Sequence, residues 1–176
     1  KAFNVLVKSY SNGGKTLLCG NGGSAADCGH VVGELMKGFL KKRKLNGRLA
    51  EILKLKNDDM GDYLMHKLQG ALPATDLTAQ SPIFTAFCND VDAQLVFAQQ
   101  VLGYGKAGDV LIGFSTSGNS KNVVYALYLA QKLGMTTIGF DGQRAGKMDE
   151  FCDITIKVPA LTTPDIQELH LPVYHV

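Results

Sequence analysis

Several features that would set the chain apart from ordinary globular proteins are missing from its sequence. There is no tryptophan, and no apolar run approaches the roughly 18 residues that a membrane-spanning helix needs. No signal-like segment stands at the amino terminus. The formal net charge is only +2, too small to indicate nucleic-acid binding by itself. These absences predict a cytoplasmic protein with neither a membrane nor a nucleic-acid partner.

Cysteine is also scarce, and its placement argues against a disulfide framework. The four cysteines form no Cys-x-x-Cys pair and lie in or beside apolar segments. This distribution is typical of reduced, buried thiols in a cytoplasm. They are Cys19, Cys28, Cys88 and Cys152.

The length and composition predict a single domain covering residues 1–176. With 45% hydrophobic residues, the chain can build one core but is short for two. A basic segment at about 41–70 reads as a helical insertion, with eight basic and four acidic residues between Lys41 and Lys67. Because the sequence starts at Lys1 without methionine and stops at Val176 within a helical pattern, we expect a chain trimmed at both ends.

Apolar runs alternate with amphipathic patterns, which predicts a three-layer, doubly wound α/β domain with a mainly parallel, flavodoxin-like sheet. Strands are predicted at Thr16–Cys19, 71–77, 109–114, 135–140 and 154–158. Helices are predicted at 1–10, 25–40, 81–88, 93–102, after residue 120 and from about Pro164.

The most informative stretch is the loop Ser115–Thr–Ser–Gly–Asn–Ser120, which leaves a buried strand and enters a helix. The first amides of a helix have no backbone partners and its dipole is positive there, so this position favours anions. Four hydroxyl side chains add short donors, and Gly118 lets the backbone curl inward. The pattern predicts a phosphate-binding loop, although Ser and Asn are also common helix caps.

A second loop of the same design, Gly20–Asn–Gly–Gly–Ser24, follows the first predicted strand. Its glycines permit a tight turn and close backbone approach to a ligand, and Ser24 can cap the helix or contact phosphate. A glycine turn between strand and helix is structural as often as functional. The lysine of a Walker loop is absent, so no nucleotide cofactor is predicted.

Further polar residues lie near these loops. His30 and Glu34 are four apart on a helix and share one face, so they could form an acid/base element, half of a metal site or a packing contact. Asn89 and Asp90 follow an apolar segment and either line a cleft or end a helix. Gln167, His170 and His175 stand on the last helix and are unremarkable alone.

Taken together and in order, these pieces resemble the sugar isomerase (SIS) domain family, and within it the phosphoheptose isomerase subgroup. The resemblance covers nearly the whole chain outside the 41–70 segment. It implies a doubly wound sheet and the conversion of sedoheptulose 7-phosphate into D-glycero-D-manno-heptose 7-phosphate through an enediol. It also implies a homotetramer with active sites at subunit interfaces.

The resemblance also implies residue roles. Glu34 and His175 would be the acid/base pair, and Asn21 and Asp90 would contact sugar hydroxyls. In some members of the family, His30, Glu34, Gln167 and His175 hold a zinc ion. The remaining substrate contacts would come from Gly22, Gly23, Ser24, Asn89, Ser115, Thr116, Ser117, Ser120 and Gln167.

Two other functions remain open at this stage. Relatives within the family include a non-catalytic regulator that binds the bacterial replication initiator protein, and a phosphosugar-sensing module would need the same loops. The regulator subgroup lacks a histidine corresponding to His175. The presence of His175 in this sequence therefore favours the enzyme.

Overall fold

The computed structural model describes residues 1–45, 47–55 and 58–176, and within them the chain forms five strands and eight α-helices. The strands are β1 Thr16–Cys19, β2 Ala74–Asp76, β3 Val110–Phe114, β4 Thr136–Asp141 and β5 Ile154–Lys157. The helices are α1 Ala2–Ser11, α2 Gly23–Met36, α3 Gly47–Leu55, α4 Asp59–Lys67, α5 Ser81–Phe87, α6 Val96–Tyr104, α7 Lys121–Lys132 and α8 Thr163–Tyr174. Short 3₁₀ turns lie at Ala93–Leu95 and Lys147–Phe151, and a π-helical turn at Cys88–Asp92.

The five strands form one parallel sheet in the order β2-β1-β3-β4-β5. The prediction of a doubly wound, flavodoxin-like α/β fold is therefore confirmed. In this strand order the connections reverse direction between β1 and β3, which opens a crevice at the carboxyl ends of those two strands. Both predicted ligand loops leave from this point.

Successive side chains of each strand supply the cores on opposite faces of the sheet. Leu17 of β1 and Leu111 of β3 are register partners and pack against α6 and α7. Leu18 and Ile112, the next register pair, face α2 and α1 on the other side. This alternation follows from the two-residue period of a strand and gives the three-layer architecture.

A glycine in β3 brings α7 close to the sheet. A Cβ atom on Gly113 would lie 2.9 Å from Cγ1 of Val123 and 3.2 Å from Cδ1 of Leu127. Because α7 begins at the end of the serine loop, this close packing also positions that loop over the carboxyl end of β3.

The predicted helix at 25–40 starts two residues earlier and ends four residues sooner than expected. Lys37 adopts an extended conformation with φ −136° and ψ 131°, and Gly38 packs so tightly on the carbonyl of Lys41 that a side chain would clash. Phe39 and Leu40 continue the apolar period of the helix but are exposed.

Two other predicted elements differ from the structure. The predicted strand at 71–77 is shorter, only Ala74–Asp76, and the predicted helix at 93–102 opens with a 3₁₀ turn.

Helices α3 and α4 lie in the basic 41–70 segment, of which positions 46, 56 and 57 are outside the described residues. Arg43 ties this segment to the end of α2. Its guanidinium donates hydrogen bonds to the carbonyls of Glu34 (3.1 Å) and Leu35 (2.5 Å), and to that of Gly70 (2.9 Å). A cation suits the negative end of the α2 dipole.

Among the described helices, none has the length and apolar content needed to cross a bilayer.

Candidate active site

The glycine and serine loops meet at a cavity of about 370 Å³ at the carboxyl ends of β1 and β3. Three helices present their first residues to it: Gly23 of α2, Ser120 before α7 and Thr163 of α8. Helix N-termini carry unpaired N–H groups and partial positive charge, so their convergence favours a multiply charged anion. The lining comprises Asn21, Gly22, Gly23, Ser24, Phe114, Ser115, Thr116, Ser120, Thr163 and Gln167.

The serine loop is held by its own hydroxyls rather than by helix capping. The Ser115 hydroxyl donates to Oγ of Ser120 (3.0 Å) and accepts from the Ser120 N–H (3.3 Å). Ser120 is the N-cap residue of α7, but its side chain makes no capping hydrogen bond. Its hydroxyl proton is therefore free to be donated to a ligand, which favours the phosphate interpretation over the capping one.

Gly118 turns the serine loop at φ +66°, a backbone conformation that favours glycine. A Cβ atom there would lie 2.7 Å from Cα of Gly146 and 3.1 Å from Oδ2 of Asp141. Asn119 closes the turn, with its carboxamide bonding to the carbonyl of Ser117 (2.7 Å). The loop is thus packed tightly on the chain that follows β4.

The glycine loop is joined to the first turn of α7, just after the serine loop, by a pair of carboxamides. Asn21 and Asn122 exchange two hydrogen bonds of 2.9 and 2.8 Å, each donating its Nδ2 to the other's Oδ1. Gly22 precedes α2 at φ +57°. The carboxamide of Gln167 covers Gly23, where a Cβ atom would lie 2.6 Å from Nε2. Asn21 is thereby held at the rim of the cavity, where the Gln167 carboxamide also lies.

Three of the predicted substrate residues lie away from this cavity. Ser117 lines a neighbouring cavity of about 220 Å³ with Thr116 and Thr163, and its hydroxyl accepts from the N–H of Asn119 at 3.2 Å. Asn89 and Asp90 lie exposed in the π-helical turn after α5 and bond to each other at 2.8 Å. In the described chain neither of these two residues lines either cavity.

The polar cluster of His30, Glu34 and His175 lies further along α2. Oε1 of Glu34 is 3.2 Å from Nε2 of His30 and 3.3 Å from Nε2 of His175. Phe39 stacks on the His175 ring at 6.4 Å between ring centroids, with an interplanar angle of 6°. The His30 ring meets the His175 ring edge-on at 5.2 Å. Two imidazoles and one carboxylate are therefore held together at the junction of α2 and α8.

The geometry of this cluster fits a metal cation. The ligand atoms of the three residues lie within 4.8 Å of one another. Oε1 of Glu34 is buried but has no aligned hydrogen bond, despite the two nitrogens beside it. Ligands of a tetrahedral zinc ion with bonds of 2.0–2.1 Å stand about 3.3 Å apart, close to the two distances found. Gln167, the fourth expected ligand, instead covers Gly23.

Two further residues belong to this cluster and were missed by sequence analysis. The Tyr174 hydroxyl is 3.1 Å from Nδ1 of His30 and donates to Oδ1 of Asp27, also at 3.1 Å. Burial raises the pKa of Asp27, opposed by the hydrogen bond from Tyr174. Burial and the nearby Asp27 carboxylate raise the pKa of Tyr174. Asp27 precedes His30 by three positions on the same helical face, a spacing that could have revealed it, whereas nothing local marks Tyr174.

Known proteins that are similar to this chain point to one family. A family model described as "SIS domain" matches residues 63–142. The phosphoheptose isomerase of Clostridium acetobutylicum is 38% identical over 172 residues, which are 98% of this chain and 74% of that protein.

Two solved structures are similar over 99% of this chain and 79% of their own. They are the phosphoheptose isomerase of Neisseria gonorrhoeae, with a TM-score of 0.77 and 33% identity, and that of Francisella tularensis, with a TM-score of 0.80 and 29% identity. The likeness therefore includes both the fold and the sequence.

Proposed function

The chain belongs to the phosphoheptose isomerase family of SIS-domain proteins, and we propose that it converts sedoheptulose 7-phosphate into D-glycero-D-manno-heptose 7-phosphate. The observation that carries this proposal is the contact between Glu34 of α2 and His175 at the end of α8, 3.3 Å apart. The first turn of the same helix α2 lines the anion cavity. A binding module has no need of such a pair. The loops can hold the phosphate while the pair acts on the far end of the sugar.

The phosphate would lie in the 370 Å³ cavity between the two loops. Ser24, Ser115, Thr116 and Ser120 line this cavity, and the three helix N-termini favour the dianion. His30 stands seven residues beyond Gly23 on α2, about 10 Å along the helix axis at 1.5 Å per residue. This separation leaves room for an extended sugar chain between the phosphate and the reacting carbons.

Isomerisation moves a proton between neighbouring carbons and another between their oxygens. We assign to Glu34 the removal of the proton from C1 of the ketose and its return to C2. We assign to His175 the proton transfer between the oxygens of C1 and C2 in the enediol. General acid/base groups of this kind contribute about 10²–10⁴-fold each.

Zinc is the cofactor that this site would accept, held by His30, Glu34 and His175. Because a metal-bound Nε2 of His175 has no free lone pair, the proton transfer assigned to His175 is that of the metal-free site. The buried, unaligned Oε1 of Glu34 and the spacing of the two nitrogens support this assignment. When bound, the ion would polarise the substrate carbonyl oxygen. Gln167 is assigned to the substrate because its carboxamide lies over Gly23 in the anion cavity.

We further propose a cytoplasmic homotetramer in which sites form at subunit interfaces. All four cysteines are free, as expected of a reducing compartment. Phe3 of α1, Leu40 after α2 and Met60 of α4 are more than two thirds exposed, which supports further burial in an assembly. Asn89 and Asp90, remote from the cavity in one chain, are proposed to contact sugar only in that assembly.

Incubation of the purified protein with sedoheptulose 7-phosphate, followed by detection of the aldose product, tests the function. Turnover is expected. Absence of turnover with and without added zinc would reject the enzyme. Co-purification with the replication initiator protein in that case would favour the regulator, which the Glu34 and His175 pair and the named relatives do not favour.

A further inference from the structure

We propose that Tyr174 is a positioning residue that selects the tautomer of His30, with Asp27 fixing the direction of the Tyr174 hydroxyl. The consequence is that the Nε2 lone pair of His30, rather than an N–H group, points at Glu34. The effect of this on catalysis rests on the proposed function, whereas the tautomer itself does not.

The direction of the two hydrogen bonds determines the tautomer. The Tyr174 hydroxyl has one proton, and it is donated to Oδ1 of Asp27 at 3.1 Å. The oxygen can then only accept from Nδ1 of His30, also at 3.1 Å, so the proton of the neutral imidazole is on Nδ1. Nε2 is left with its lone pair.

The lone pair of His30 stands opposite a carboxylate oxygen. Nε2 is 3.2 Å from Oε1 of Glu34, and that oxygen has no aligned hydrogen bond. In the other tautomer, Nε2–H could donate to Oε1 and occupy both groups. By excluding that hydrogen bond, Tyr174 keeps the imidazole and the carboxylate available for a cation or a substrate proton.

Packing holds the Tyr174 ring independently of its hydroxyl. The ring meets those of Phe114 at 6.2 Å, His30 at 5.5 Å and His175 at 5.1 Å, each nearly perpendicular. Phenylalanine at position 174 would keep these contacts and lose only the hydroxyl. The substitution Tyr174→Phe therefore isolates the proposed role.

The first test is ¹⁵N NMR of the imidazole nitrogens in the metal-free protein at a pH where His30 is neutral. In the unmodified protein we expect the ¹⁵N chemical shifts of His30 to show a proton on Nδ1 and none on Nε2. Tyr174→Phe should shift the pattern towards Nε2–H, and so should Asp27→Leu, which removes the acceptor and leaves the hydroxyl proton to turn towards Nδ1. Tyr128→Phe, an exposed tyrosine on α7, is the matched control and should change nothing.

A second readout is the affinity of the metal-free protein for zinc, measured by competition with a chelator. Loss of a hydrogen-bond partner behind a metal-binding histidine typically weakens binding 10- to 100-fold, and we expect this for Tyr174→Phe but not for Tyr128→Phe. An Nε2–H pattern in the unmodified protein, or a His30 pattern unchanged in both variants, would overturn the proposal. Because neither measurement uses a sugar phosphate, failure here is distinct from failure of the isomerase assignment.

Discussion

Nε2 of His175 lies 3.3 Å from Oε1 of Glu34, although the two residues come from the last helix and the second helix of the chain. Helix α8 continues through Pro172, and the N–H of His175 still bonds to the carbonyl of Leu171 at 3.3 Å. The imidazole is therefore brought to the carboxylate by the packing of α8 on α2. Catalysis by this pair would depend on that packing as much as on the two side chains.

Ser120→Ala should weaken binding of a sugar phosphate by about 1.5–3 kcal/mol, because a hydrogen bond to a charged oxygen is lost. Calorimetric titration with the phosphosugar measures this change. Ser11→Ala at the exposed end of α1 should leave the affinity unchanged. Equal affinities for the two variants would show that the Ser120 hydroxyl does not contact the bound anion.

Gly118→Ala should destabilise the protein by about 2–5 kcal/mol, from a left-handed alanine and a clash with Gly146. Gly13→Ala is the matched control, because Gly13 has φ +77° but no heavy atom lies within 4 Å of the position that a Cβ would take. Only the conformational cost of about 1–2 kcal/mol therefore applies to the control. Urea unfolding gives both values. A similar loss of unfolding free energy in both variants would mean that the serine loop rearranges to accommodate the added methyl group.

Lys157→Met should destabilise the protein in a pH-dependent manner. Lys157 bonds to the buried carboxylate of Asp141 at 2.8 Å and to Asp149 at 2.9 Å. Burial raises the pKa of Asp141, and Lys157 opposes that rise. We expect a loss of about 2 kcal/mol at neutral pH, below the roughly 3–5 kcal/mol of a fully buried pair because Lys157 is partly exposed.

The sign of the pH effect follows from the raised pKa of Asp141. Without Lys157 the folded protein favours the neutral acid of Asp141 still more, so this part of the stability loss should be largest above the raised pKa and shrink as pH falls through it. The part due to Asp149 should persist to lower pH, because its pKa is lowered by the hydrogen bond from Lys157 against the effect of burial. Unfolding curves from pH 7 to 4 measure this trend, with the exposed Lys121→Met as control. A stability loss of Lys157→Met that grows as the pH is lowered would contradict this explanation.

Zinc analysis should find about one ion per chain, and His30→Ala should abolish it. Gln167→Ala should retain zinc but weaken phosphosugar binding, because its carboxamide lies over Gly23. Elemental analysis and calorimetry separate the two effects. If metal-free protein is fully active, Glu34 and His175 act directly and the ion is dispensable.

Strands β1, β3 and β4 were predictable because each carries a short apolar run bounded by glycine or polar loops. Thr16–Cys19 was predicted to the residue, and the serine loop identified the carboxyl end of β3. The end of α2 was not predictable, since Phe39 and Leu40 extend the helical period beyond the break at Lys37. That break depends on the close approach of Gly38 to Lys41, which no local pattern encodes.

The candidate site was predictable only in part. His30 and Glu34 share one helical face, so their proximity follows from sequence spacing. The approach of His175 and Tyr174 depends on how α8 packs on α2, and only a family resemblance pointed to His175. The roles of the predicted site residues stay predictions until the variants are measured.

The most direct measurement is the rate of aldose formation from sedoheptulose 7-phosphate by Glu34→Gln, alongside its affinity for the same sugar phosphate. We predict a fall in kcat of about 10²–10⁴-fold with binding nearly unchanged, because the amide keeps the shape but cannot accept the carbon-bound proton. The exposed Glu168→Gln on α8 should retain full activity. A Glu34→Gln protein with undiminished kcat would contradict the central claim that this carboxylate performs the proton transfer.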